Sequence, residues 1–164
     1  MIWQFVMTKA IAIALNPITA ADIIAGAAID LGMIIRLSKF YGIPMTRSGA
    51  MKLLQSIAMG MGGLTISELA ANLGLSGIKS LFAILAPATG GVSIAPYTAV
   101  ALTQASIAGV STYAIGQITK TYLAKGASWG DDSPKSVITR ILATIDEHSI
   151  VDRIKQELGT KGNS

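Results

Sequence analysis

Forty consecutive residues, Ser80 to Thr119, carry no charged side chain. At about 20 residues per crossing this is length enough to traverse a bilayer twice, so the chain must hide it in lipid, in a partner or in its own core. The stretch is less oily than its lack of charge suggests. Thr98, Thr103, Gln104, Ser106, Ser111, Thr112, Gln117 and Thr119 dilute it, and a helix through them inserts reluctantly by itself. Two readings stay open: membrane insertion or deep membrane association, and a soluble or oligomeric helical bundle.

Composition narrows the class. Of the 164 residues, 51% are hydrophobic and 13% charged, with a mean hydropathy of +0.57; a soluble domain ordinarily carries about 25% charged residues. Disordered, collagenous and coiled-coil chains are excluded. With no cysteine there is no disulfide framework or thiolate zinc site, and one histidine, His148, builds no multi-histidine metal site. No cofactor is expected.

Charge is unevenly placed. Residues 1–119 hold nine charged side chains and residues 120–164 hold thirteen, giving an oily body and a wet tail. No Lys/Arg run suggests nucleic acid. Four cations, Arg36, Lys39, Arg47 and Lys52, crowd around the turn containing Tyr41, Gly42 and Pro44, a grouping suited to anionic lipid headgroups. Met1 to Thr8 carry no positive side chain and Lys9 interrupts the apolar stretch, which argues against a cleaved signal peptide.

Helix signals follow along the chain, and no period-2 strand pattern competes. Residues 17–41 read as a helix, with Pro17 in its first turn and Gly42 and Pro44 as its stop. Asp22 and Asp30 lie inside it about 80° apart around the axis. The leading expectation is that each caps a neighbour or faces water. The alternative is a buried carboxylate paired with a cation such as Lys79 or Arg36, because a lone charge among apolar groups is costly. Thr46 is a candidate N-cap for a second helix ending near Gly60, Gly62 and Gly63, which makes a short-loop hairpin with the first. Short helices are expected over 65–72 and 76–86, and a long one over 97–123. Ala101, Ala105 and Gly109 form a small-residue ridge along the long helix for close packing in lipid or in a core. Gly109→Leu is therefore expected to be harmful and Gly130→Leu mild.

Ser133 before Pro134 starts a further helix carrying Val137, Ile138, Ile141, Leu142 and Ile145 at helical spacing. Ser149 is a candidate cap for a last one, with Asp152 in its first turn and Ile150, Val151, Ile154 and Leu158 on its apolar face. These two amphipathic helices are expected to dock through Ile138, Ile141, Leu142, Ile145, Ile154 and Leu158 on the body or on another subunit.

Three motifs point to sharper chemistry without meeting its structural demands. Gly126-Ala127-Ser128-Trp129-Gly130 fits the pattern around a hydrolase serine, but that mechanism needs a strand, a strained turn and a helix. An enzyme using Ser128 is the minor reading. Residues 64–76 look like the first half of a helix-turn-helix, yet the following segment offers one lysine, Lys79, amid apolar residues. Gly60 to Thr65 is glycine-rich without the lysine of a phosphate loop.

The blocks Asn16-Pro17-Ile18-Thr19-Ala20-Ala21-Asp22, then Asp30, Met33 and Ile34, then Lys39-Phe40-Tyr41-Gly42, resemble the domain of unknown function 697 family, often found C-terminal to an Era-like GTPase domain. Val100-Ala101-Leu102-Thr103-Gln104-Ala105, Ala114-Ile115-Gly116, Tyr122-Leu123-Ala124 and Ile154-Lys155-Gln156-Glu157-Leu158 are most similar to its cyanobacterial branch. The resemblance covers roughly residues 10–158. It implies a membrane-associated helical module working beside a GTPase, at a thylakoid or plasma membrane, and supplies no catalytic residue.

The sequence thus predicts an all-α, noncatalytic protein. Residues 1–125 form a hydrophobic body, 126–133 a linker, 134–158 an amphipathic tail and 159–164 a disordered end. Expected partners are membrane lipid, further copies of the chain or a larger membrane complex, and a GTPase, with no nucleic acid. The rival is a soluble oligomerisation or regulatory domain of a GTPase.

Overall fold

A computed structural model of the chain describes residues 1–15, 20–61 and 94–162. These form six helices with no strand among the described residues: α1 (Ile2–Leu15), α2 (Ala20–Phe40), α3 (Arg47–Gly60), α4 (Ile94–Ala124), α5 (Pro134–Thr144) and α6 (Glu147–Gly162). The all-α fold is as the sequence predicts. The short helices expected over 65–72 and 76–86, the helix-turn-helix likeness and Lys79 lie outside the described residues.

The long helix α4 is the axis of the bundle, and each of the other five helices packs against it. Neighbours run α6, α1, α2, α3, α5 around it. This arrangement explains how α4 tolerates its hydroxyls. Ser106, Ser111, Thr112 and Thr119 are buried alongside Ala105, Ile107, Ala108, Val110 and Ile118, so these four hydroxyls face protein. Among the described residues, no helix is long and apolar enough to cross a membrane.

α2 buries Asp30, Leu31, Met33, Ile34, Leu37 and Ser38, the spacing of a helix with one inward stripe. Its stop is chemical. Gly42 adopts φ +72°, its N–H donates to Lys39 O, and Ile43 N–H donates to Ser38 O, which together satisfy the last carbonyls of the helix. Thr46 then caps α3, its hydroxyl accepting from Gly49 N–H at 3.1 Å.

α1 has no counterpart in the sequence reading. Val6, Met7, Lys9 and Ala10 of this helix are buried. Lys9, taken from the sequence as an interruption, sits inside the bundle. α5 begins as expected, Ser133 capping it with Pro134 in the first turn. α6 begins earlier than expected: Asp146, not Ser149, supplies the cap, its carboxylate accepting from the Ser149 hydroxyl at 2.7 Å and from Ser149 N–H. The first-turn acid is accordingly Glu147 in place of Asp152. The helix runs to Gly162, past the expected end at 158.

Candidate functional site

Three helices converge on a buried polar cluster. Lys9 Nζ on α1 donates to Asp30 Oδ2 on α2 at 2.6 Å, and Thr112 Oγ1 on α4 donates to Asp30 Oδ1 at 2.7 Å. Lys9 and Asp30 are 2% and 4% exposed, so each carboxylate oxygen has a donor and the ammonium has its counter-charge, as burial of charge demands. Asp30 therefore does not face water, and its cation is Lys9; of the two cations expected, Arg36 is exposed and Lys79 lies outside the described residues. Asp22 lies in α2, and Ala101 in α4, at turns whose side chains lie outside the described residues. Sequence reasoning missed Lys9 and Thr112. The available signal was a lysine in an otherwise apolar run, which requires an acid nearby once the run is buried.

Ala105 and Gly109 on α4 face their own chain. A Cβ at Gly109 would run into Ile154 Cδ1 of α6 and meet Val6 Cγ1 of α1 at 3.3 Å, and Ala105 belongs to the same apolar cluster. A Cβ at Gly60, the last residue of α3, would likewise strike Ile138 of α5. The two tail helices thus dock on the body, each through an isoleucine seated on a glycine. Ile138 and Ile154 are fully buried, while Ile141, Leu142, Ile145 and Leu158 are half-buried around them. Fully burying one such side chain contributes about 1.5–3 kcal/mol.

Where α5 hands over to α6, a cleft of about 500 Å³ opens onto α4, lined by Trp3, Tyr113, Gln117, Thr144, Ser149 and Arg153 among others. One wall is fixed by charge. Arg153 lies 3.9 Å over the Trp3 ring and donates to Glu157 at 3.2 Å, and Trp3 Nε1 donates to the same carboxylate at 2.7 Å. At the rim, the Ser149 hydroxyl and N–H hold the Asp146 carboxyl below its ordinary range. Burial pushes the neighbouring Glu147 carboxyl up.

Ser128 occupies a turn between α4 and α5, with no strand leading into it. Gly126, Ala127 and Gly130 there adopt φ of +75°, +59° and +74°. The Ser128 hydroxyl accepts from Gly130 N–H at 3.0 Å, and Trp129 packs on Tyr122 with ring centroids 4.8 Å apart. The motif thus forms a turn between two helices. Among the described residues, no group of three or more histidine or acidic side chains is placed to hold a metal.

A further surface feature is the α2–α3 hairpin end. Arg36, Lys39, Arg47 and Lys52 are all exposed there, and none is paired with an acid among the described residues. Phe40, in their midst, is 72% exposed and touches Tyr41 edge-on.

An all-α bundle in which a buried ion pair joins two helices defines the architectural class. The chain belongs to the family described as Domain of unknown function (DUF697), whose pattern matches residues 1–147. No curated protein and no solved structure matches it.

Proposed function

We propose that the chain is a noncatalytic helical module that associates with a membrane surface, self-associates or joins a larger membrane complex there, and presents a surface to a partner. The observation that carries this reading is the exposure of large apolar side chains, Phe40 at 72% and Met59 at 76%, on helices whose described outer faces hold cations and no acid. Such side chains gain most by leaving water. The noncatalytic part rests on how the buried charges are used: Lys9, Asp30 and Thr112 spend their polar atoms on one another. The partner surface is the cleft beside Trp3 and Arg153. The likeness of residues 16–22, 30–42 and 100–105 to a family found beside GTPase domains supports a GTPase as that partner, and a thylakoid or plasma membrane as the location.

Cell fractionation tests the reading. The chain is expected in the membrane pellet and in the floating fraction with vesicles of extracted total lipid. Recovery as a discrete oligomer in the supernatant, with no vesicle flotation, would favour the soluble regulatory domain.

A further inference from the structure

Between Asp30 and Glu68 the sequence runs for 37 residues without an acid, and this run contains Arg36, Lys39, Arg47 and Lys52. The chain as a whole has 13 basic and 9 acidic side chains. With these four set aside, its basic and acidic residues balance, so the whole formal net charge of +4 belongs to this one segment. The fold then concentrates it. The α2–α3 turn brings Lys39 and Arg47 to one end of the bundle, with Arg36 a turn down α2 and Lys52 a turn and a half up α3.

Phe40 completes the arrangement. It sits at the last position of α2, beside Lys39, and is 72% exposed, with Met51 on α3 at 39%. A solvated charged face does not need an exposed phenyl ring among its cations. An interfacial one does, because the ring reaches the acyl boundary while the ammonium and guanidinium groups stay at headgroup level.

We propose that the α2–α3 hairpin end, through Arg36, Lys39, Arg47, Lys52 and Phe40, is a docking tip for anionic lipid headgroups. The inference rests on the membrane-associated reading above and names the lipid class and the residues that meet it. The chemistry favours a membrane over an acidic protein or a nucleic acid: the tip is the convex end of a hairpin, and its ring needs an apolar phase to enter. Cations near a charged bilayer each contribute roughly a fivefold gain in binding. The attraction is screened by salt, the Debye length falling from about 10 Å at 0.1 M to about 3 Å at 1 M.

The test uses the full chain and vesicles of phosphatidylcholine alone or with one-third phosphatidylglycerol. The wild type is expected to float with the anionic vesicles and to be released by 1 M salt. Lys39→Gln with Arg47→Gln should weaken that binding roughly thirtyfold, with the helical spectrum and melting temperature unchanged. The absence of cysteine makes Phe40→Cys a unique attachment point for an environment-sensitive dye, whose emission should shift to the blue on anionic vesicles only. Equal flotation with both vesicle types, unchanged in the Gln variant, would overturn the tip while leaving membrane association standing. Flotation with neither would overturn both. Equal affinity for heparin with a silent dye at position 40 would replace the lipid by a general polyanion and overturn the proposal.

Discussion

Removing one partner of the Lys9–Asp30 pair leaves the other charge in a site only a few per cent exposed, and such an orphan costs about 3–5 kcal/mol. Asp30→Ala is therefore expected to lower stability by about that much in urea denaturation. Lys9→Met combined with Asp30→Leu should lose far less than the sum of the single changes, since apolar replacement of a whole buried pair is often close to neutral. Additive losses would show that the two side chains do not act as a unit. The glycines of the tail interface give a second prediction at this scale. Gly109→Leu must displace Ile154 and Val6 and should cost about 1–3 kcal/mol or more. Gly130, the control that the sequence offers, is unsuitable: its φ of +74° makes any larger residue there strained by about 1–2 kcal/mol. Gly159 is the better control, because it lies within α6 with nothing near a Cβ. Gly159→Ala should stabilise by about 0.5–1 kcal/mol, and a loss equal to that of Gly109→Leu would remove the steric account.

Helices α5 and α6 are marginal alone, and they rest on the body through buried side chains, Val137 and Ile138 on α5 and Ile150 and Ile154 on α6. Ending the chain at Asp132 uncovers Gly60 and Gly109 together with the apolar groups around them. The expected outcome is a body that melts lower and binds an apolar dye; an unchanged melting temperature would mark the tail as a separable appendage. The start of α6 carries its own pH dependence. Because its hydrogen bonds to Ser149 hold the Asp146 carboxyl below the unfolded value, the stabilisation is complete above the ordinary carboxylate range. It fades as pH falls through the depressed folded value. Asp146→Asn, which caps without titrating, should flatten the fall in melting temperature as pH drops below the ordinary carboxylate range. Which elements the sequence revealed follows from where their signals lie. Caps and stops are local, so Thr46, Ser133-Pro134 and Gly42 announced three helix boundaries. α1 was illegible because its identity depends on a carboxylate 21 positions away: without Asp30, Lys9 is merely a break in an apolar run. Likewise Asp146 and Ser149 are both capping types three residues apart, and only the geometry chooses between them.

At the scale of the whole molecule, α4 shows how the part of the uncharged run that it contains, residues 94–119, need not imply a membrane crossing: one long helix can be sheathed by five others. Phe40 and Met59 lie outside that sheath, 72% and 76% exposed. In plain buffer the chain is expected to self-associate, and Phe40→Ser with Met59→Ser should reduce its light scattering without lowering its melting temperature. A clean 17.0 kDa monomer from the wild type would contradict this. The likeness at the level of the family was distributed along the chain and so was readable from sequence. The polar cluster and the cleft were not, because each joins residues from three or more helices. One contact described above also bears on the making of the protein. Trp3 and Glu157 are 154 positions apart, and Val6 waits for Ile154 to fill the wall beside Gly109. At roughly 5–20 residues per second, the ribosome finishes α6 about seven to thirty seconds after α1. Through that interval the inner face of α1 lacks the cover that α6 supplies, so a nascent chain of this kind is expected to lean on a chaperone until α6 arrives.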